Sequence, residues 1–158
     1  MDTPRLPRYH IIMKIVLQRV RRASVTVGTD TVGEISAGFL LFLGVMRGDL
    51  EEQADFLAEK IIKVRLFPGE DGTINDKSIL ETGGEILLVS QFTLAGRLEK
   101  GNRPDFVQAE APDRARELYE YFGSKLAAHG VPVRTGVFGA MMDVSLVNDG
   151  PCTIILER

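Results

Sequence analysis

The chain predicts an α/β fold, a single domain in which a mixed β-sheet is layered with helices. Runs of β-branched and apolar residues recur along its 158 residues. Two longer segments between them carry apolar residues at the 3–4 spacing of a helix. The order is strand-rich with two inserted helices, which fits a mixed sheet better than a doubly wound parallel one. A domain of this length buries roughly two-thirds of the surface its unfolded chain exposes.

KIVLQRV (14–20) and ASVTVG (23–28) are rich in β-branched residues and predict strands. Thr29 and Asp30, followed by TVGEI, turn the second into a hairpin. From Gly38, GFLLFLGV is apolar with hardly a break, the pattern of a strand covered on both faces. Asp49, with Glu52 three residues on, reads as an acidic form of the helix-capping box. Ala54, Leu57, Ala58, Ile61 and Ile62 then keep helical spacing, so a helix is predicted over 50–66. Residues 67–76, dense in Gly, Asp and Asn, are loop. EILLVSQFTL (85–94) predicts a second buried strand, and AGRLEKGNRP after it a loop. Pro112 opens a helix whose Ala115, Leu118, Tyr119, Phe122 and Leu126 share one face, with Gly130 as its stop. VPVRTGVF, MMDVSLVN and CTIILE complete the strands. Residues 1–12 precede a start-like Met13-Lys14 pair and read as an extension, leaving 13–158 as the domain.

A net charge of −3 argues against nonspecific coating of duplex nucleic acid, while leaving room for a local basic patch that holds RNA. The longest apolar stretch, FLLFLGVM, is far short of the roughly 20 residues of a membrane-spanning helix, so no membrane role is expected. The first residues, MDTPRLPRYHII, lack an apolar signal core and a small-residue cleavage site. The single cysteine, Cys152, excludes an internal disulfide and a cysteine-based zinc site. Together these features point to the cytoplasm. GxxxxGK[ST], GxGxxG after a strand and HExxH are all missing, so neither a nucleotide cofactor nor a metal is expected. His10 and His129 have no convincing setting for a Ser-His-Asp or Cys-His site, and His129 reads as a helix-end residue suited to the dipole.

Three stretches remain for chemistry. In SQFTL (90–94), polar residues leave a buried strand. They either end it, satisfied by the next loop, or line a pocket and offer backbone N–H donors to an oxyanion. Strand alternation places Ser90, Phe92 and Leu94 on one face, with Gln91 and Thr93 on the other. In DGPCT (149–153), Pro151 cannot donate to a sheet ladder, so Gly150-Pro151 marks an edge, a bulge or a turn. The same dipeptide can hold two carbonyls in one direction, and the sequence leaves both isomers of its bond open. Arg97, Lys100 and Arg103 in GRLEKGNRP form either a solvated loop or a set of contacts to RNA phosphates.

Read together, these stretches resemble the D-aminoacyl-tRNA deacylases, also called D-tyrosyl-tRNA deacylases. KIVLQRV with ASVTV, GGEILLVSQFTL, GNRPDF, ELYEYF, TGVFGA and VSLVNDGPCT follow that family's order from Met13 to Arg158. SQFTL and the late Gly-Pro-x-Thr are its signature pair. The resemblance implies a three-layer α/β/β domain, a largely antiparallel mixed sheet with two main helices on one side. It implies a homodimer acting on the 3′ end of aminoacyl-tRNA, with the active site at the subunit interface. Ser90, Gln91, Phe92 and Thr93 would line the aminoacyl pocket, with N–H groups near Phe92 and Thr93 receiving the oxyanion. Gly150 and Pro151, cis in the family, would reject L-substrates, and Arg19 would brace them from the other subunit. Water attack helped by the terminal 2′-hydroxyl would need no protein nucleophile; Thr93 as a covalent nucleophile is the second reading. A family valine is replaced here by Cys152, close in size and apolar enough to pack. A tRNA-end or nucleic-acid-binding module without catalysis is the alternative from another class.

Overall fold

The computed structural model describes residues 12–158. The expected extension up to residue 11, His10 included, lies outside them. The elements are β1 (Lys14–Val27), β2 (Asp30–Ile35), β3 (Gly38–Gly44), α1 (Glu51–Lys63), α2 (Ile79–Thr82), β4 (Glu85–Ser90), a 3₁₀ turn (Phe92–Ala95), α3 (Pro112–Ala128), β5 (Val133–Thr135) and β6 (Asp143–Glu157). β1 pairs antiparallel with β2, β3 and β6, whereas β3–β4 and β4–β5 are parallel. Parallel neighbours need a crossover, and α1 and α3 lie in the two crossovers. Among the described residues no helix is long and apolar enough to cross a membrane.

The unbroken apolar runs of β3 and β4 follow from burial on both faces. Phe39, Leu41, Leu43, Ile86 and Leu88 point to one side, where Leu57, Ile61, Leu118 and Phe122 of α1 and α3 meet them. The alternate residues Leu40, Leu87 and Val89 point to the other side. There the second half of β1 (Val20, Ala23, Val25), Ile35 of β2, and Val144 and Leu146 of β6 fold over them. Helices, central strands and curled outer strands thus make the three layers. The close approach of β2 leaves no room at Gly33, whose added Cβ would sit 2.6 Å from Thr135 O.

Three expectations change. The runs 14–20 and 23–28 are one strand, kept continuous past the exposed Arg21 and Arg22 by register shifts against β6. The two late runs are also one strand, β6, which carries Gly150-Pro151 inside it at those shifts. The short α2 was not anticipated, although Ser78, whose hydroxyl accepts from Glu81 N, and left-handed Gly83 cap its two ends.

The start of α1 also differs. Leu50, not Asp49, is the N-cap, and Gln53 Oε1 reaches back to accept Leu50 N–H at 2.6 Å. Asp49 is turned inward, 1% exposed, accepting from Met46 N at 2.7 Å and from Gln53 Nε2 at 3.2 Å. Burial pushes its pKa up to about 6 against the pull of the Met46 N–H, and the Glu110 charge adds to the rise. The folded state therefore holds the proton more tightly than the unfolded chain. The stability tied to that proton is fully present below about pH 4 and is lost as the pH rises through about 6. A shift of about two pKa units corresponds to about 3 kcal/mol. Urea unfolding at pH 4 and pH 7 should show Asp49→Asn gaining about that much on the native protein at the higher pH; a constant difference would refute it.

Candidate active site

β4 ends at Ser90, and Gln91 N donates its last ladder bond to Leu43 O at 2.8 Å. The chain then turns because β3 leaves space only for backbone. A Cβ on Gly44 would sit 2.9 Å from Leu94 Cβ and 3.2 Å from Gln91 O. Residues 92–95 close into the 3₁₀ turn, with Leu94 N donating to Gln91 O. The expected strand alternation through SQFTL therefore stops at Ser90. In a turn of this kind the first N–H groups, those of Phe92 and Thr93, have no partner inside the turn. Gln91 Nε2 donates to Thr93 Oγ1, so the nearest side chain to that hydroxyl is an amide, which is no base.

Ser90, Gln91 and Phe92 line a cleft of about 1100 Å³. Its other walls come from Val45, Arg47 and Gly48 after β3, from 109–112 at the start of α3, and from 138–142 with Val144 of β6. The lining is mostly apolar, and large apolar side chains stand open at the rim. Phe92 is 58% exposed and meets Phe106 edge-on, with ring centroids 5.2 Å apart, and Met141 is 92% exposed. Behind the cleft Tyr119 donates to Leu88 O at 3.0 Å, and burial holds its pKa up at about 12, so it stays neutral.

Gly150 and Pro151 do not reach this cleft within one chain. They lie on β6, which hydrogen-bonds to β1 and not to β4. The first part of β6 does reach the cleft, at Val144, but Gly150 lies six residues further along the same strand, about 20 Å of extended chain, and neither it nor Pro151 is in the lining. The Gly150-Pro151 bond is cis. Around it the backbone is held from several sides. Asn148 Nδ2 donates both to Arg19 O (3.0 Å) and to Cys152 O (3.1 Å), clamping the segment across its own ends. Arg19 Nη1 donates to Leu66 O and Nη2 to Asp149 O at 3.2 Å, while its Nε stands 3.2 Å from Asp149 Oδ2. Arg21 adds a looser ion pair to the same carboxylate. The expected brace by Arg19 across a subunit boundary is thus made inside its own chain.

Cys152 is buried among core residues, as its size suggested. His129 ends α3. Arg97 is ion-paired to Glu99 at 2.9 Å and lines a separate cleft of about 310 Å³ with Lys14, Gln108 and Glu157. Lys100 and Arg103 are exposed in the loop beyond. Among the described residues no group of three or more His, Cys, Asp and Glu is placed to hold a metal ion. Sequence reading missed Arg47, Phe106 and Glu110 as cleft residues and Asn148 as the clamp. Only Asn148 left a signal, since Asn beside Asp-Gly-Pro commonly bonds backbone at a turn.

A family profile described as D-Tyr-tRNA(Tyr) deacylase matches residues 16–157. A protein of Thermus aquaticus named D-aminoacyl-tRNA deacylase is 54% identical over 92% of this chain and 95% of its own. One of the same name from Brevibacillus brevis is 50% identical, covering 92% and 99%. A solved structure named c-Myc DNA Unwinding Element Binding Protein superposes with a TM-score of 0.87 at 41% identity, over 92% of this chain and 98% of that one. Another, titled as a probable eukaryotic D-amino acid tRNA deacylase, superposes with a TM-score of 0.79 at 19% identity, over 93% and 100%, a likeness of fold.

Proposed function

The chain belongs to the D-Tyr-tRNA(Tyr) deacylase family, and from that membership we propose that it hydrolyses the ester of D-aminoacyl-tRNA. Water adds to the ester carbonyl, the bond to the terminal ribose oxygen breaks, and free D-amino acid and tRNA leave. The observation that carries the reading is the end of β4: Ser90, Gln91 and Phe92 open into a large, mostly apolar cleft beside two N–H groups that the 3₁₀ turn cannot use. Such donors stabilise an oxyanion without moving at the moment of reaction. Thr93 sits behind Phe92, outside the residues that line the cleft, and is no nucleophile there, because its hydroxyl has an amide for a neighbour and no base to take its proton. The terminal 2′-hydroxyl of the RNA assists the water.

The chiral filter is Gly150-Pro151 of a second copy. Within one chain that dipeptide is remote from the cleft, exposed on a strand whose outer edge has no partner among the described residues. The open rim of Phe92 and Met141 supplies apolar surface for a homodimer contact. Useful proofreading needs discrimination on the order of 10⁴, or about 5.5 kcal/mol. Pocket fit to one methylene supplies only about 1–3 kcal/mol, so a backbone wall suits the task better. A filter of that kind accepts several D-amino acids, and achiral glycine on a non-cognate tRNA passes it too. Arg97, Lys100 and Arg103 lie on one loop suited to the phosphates of the acceptor end. The cytoplasm, where charged tRNA is found, is the fitting compartment.

D-tyrosyl-tRNA and L-tyrosyl-tRNA, each incubated with the protein, decide the matter. Hydrolysis of the D form on the order of 10⁴-fold faster is expected. Equal rates would remove the filter. Binding of uncharged tRNA without turnover of either form would favour a nucleic-acid-binding module instead.

A further inference from the structure

We propose that Arg47 binds the phosphodiester on the 5′ side of the terminal nucleotide, a phosphate site within the cleft itself; this rests on the deacylase reading above. Arg47 and Glu110 are the only charged side chains among the described residues lining the cleft. Glu110 is already engaged: its Oε1 accepts from Ala111 N at 2.8 Å and its Oε2 from Gly48 N at 3.4 Å. The Arg47 side chain is exposed, and its Nε has only a long contact, 3.4 Å, to Ala109 O. Among the described residues no carboxylate stands within ion-pair distance of its guanidinium.

An unused cation on a mostly apolar wall costs nothing while solvent reaches it, and becomes valuable once an anion enters. Its backbone is a fixed platform. Arg47 N donates to Gln108 O at 2.9 Å, and the Asp49 carboxylate holds Met46 N on one side of it. Gly48, at φ +85°, makes the tight turn on the other. The position along the cleft also fits. Gly44 packs directly on Gln91 O, and Arg47 lies three steps further along the chain, a reach of at most about 10 Å. The 5′ phosphate of a terminal nucleotide is one sugar away from the ester that would sit at Phe92 and Thr93. Neither Phe92 nor Phe106 can neutralise that charge, whereas a guanidinium matches it with two parallel N–H groups.

Binding of a labelled CCA trinucleotide, followed by fluorescence anisotropy, tests this without turnover. Arg47→Gln should weaken it about tenfold and flatten its dependence on salt by about 0.7 in the log–log slope, as loss of one single-strand phosphate contact requires. Competition by adenosine, which has no phosphate, should be unchanged, and Arg47→Lys should recover part of the loss. In kinetics, Arg47→Gln should lower kcat/KM about tenfold on D-tyrosyl-tRNA, through KM, and leave D-tyrosyl-adenosine untouched. Unchanged CCA binding, or equal losses with and without the phosphate, would overturn the assignment. A native protein that binds CCA through Arg47 but hydrolyses no D-ester would sink the deacylase reading and leave the phosphate site standing.

Discussion

Gly38→Ala is expected to yield no folded protein. Gly38 opens β3 and pairs directly with Glu85, the first residue of β4. A Cβ at this position would overlap the Glu85 carbonyl oxygen and lie 2.7 Å from Glu85 N. Both are main-chain atoms, so no side chain can swing aside. Glu85 cannot retreat either. Its N–H donates to Ala37 O at 3.1 Å, the next N–H, of Ile86, donates to Pro132 O at 2.9 Å, and its side chain accepts from Ser36 N at 3.0 Å. Separating the strands would open the β3–β4 ladder, which holds the two most buried strands, with the helices packed on one face and β1, β2 and β6 on the other. A loss beyond about 5 kcal/mol is as large as the whole stability of many domains. Soluble yield and circular dichroism measure it. Gly28→Ala is the control: its Cβ would meet nothing within 4 Å and the residue pays only for φ +60°, about 1 kcal/mol. A Gly38→Ala protein melting within a few degrees of the native chain would refute the steric reading.

How much of this was open to reading in the sequence depended on whether a feature is local. GFLLFLGV and EILLV announced two-sided burial by their lack of alternation, and the cores on either side of β3 and β4 bear that out. The helical spacing in 112–128 was equally clear, since one stripe of Leu118, Phe122 and Leu126 faces the sheet. What failed was set by neighbours remote in the chain. EILLVSQFTL carries nothing to stop a strand at Ser90; Gly44, nearly fifty residues earlier, lets Gln91 and Leu94 pack where a wider residue would not. A Gly-Pro step reads as a turn, but strand β1 runs alongside and keeps pairing on both sides of it, so β6 continues. Asp49 looked like a helix cap because Glu52 follows at the right spacing. Its carboxylate instead satisfies a buried N–H three residues before it, and the Gln53 side chain takes over Leu50. The cleft was half legible. SQF could be singled out as polar residues leaving an apolar strand, while Arg47, Phe106 and Glu110 come from segments that meet only in the fold.

Arg19→Ala should damage both the fold and the reaction, and the split between them tests the placement of Gly150-Pro151. The side chain is 14% exposed and joins three elements of the molecule: its own strand β1, Leu66 in the loop after α1, and Asp149 beside the dipeptide. Truncation leaves the Leu66 and Asp149 carbonyls without their donor, while the part-exposed Asp149 carboxylate keeps only its looser pair with Arg21. Orphaned buried groups of this kind cost roughly 1–3 kcal/mol each, partly recovered by water, so a loss of about 2–4 kcal/mol in urea is expected. Asn148 still clamps Arg19 O and Cys152 O through backbone that the mutation spares, so β6 should remain paired and the protein folded. The dipeptide, however, loses the contact that fixes its direction. Displacement by about 1 Å costs on the order of 10²-fold in a reaction that depends on position. On the proposed function, kcat/KM for D-tyrosyl-tRNA should fall by about that factor, and the preference over L-tyrosyl-tRNA should shrink with it. Arg19→Lys should recover stability better than selectivity, since one ammonium cannot span Leu66 O and Asp149 together as the planar fork does. A variant that loses stability yet keeps the full D-to-L ratio would show that Arg19 holds the fold alone, and that the dipeptide keeps its direction without it.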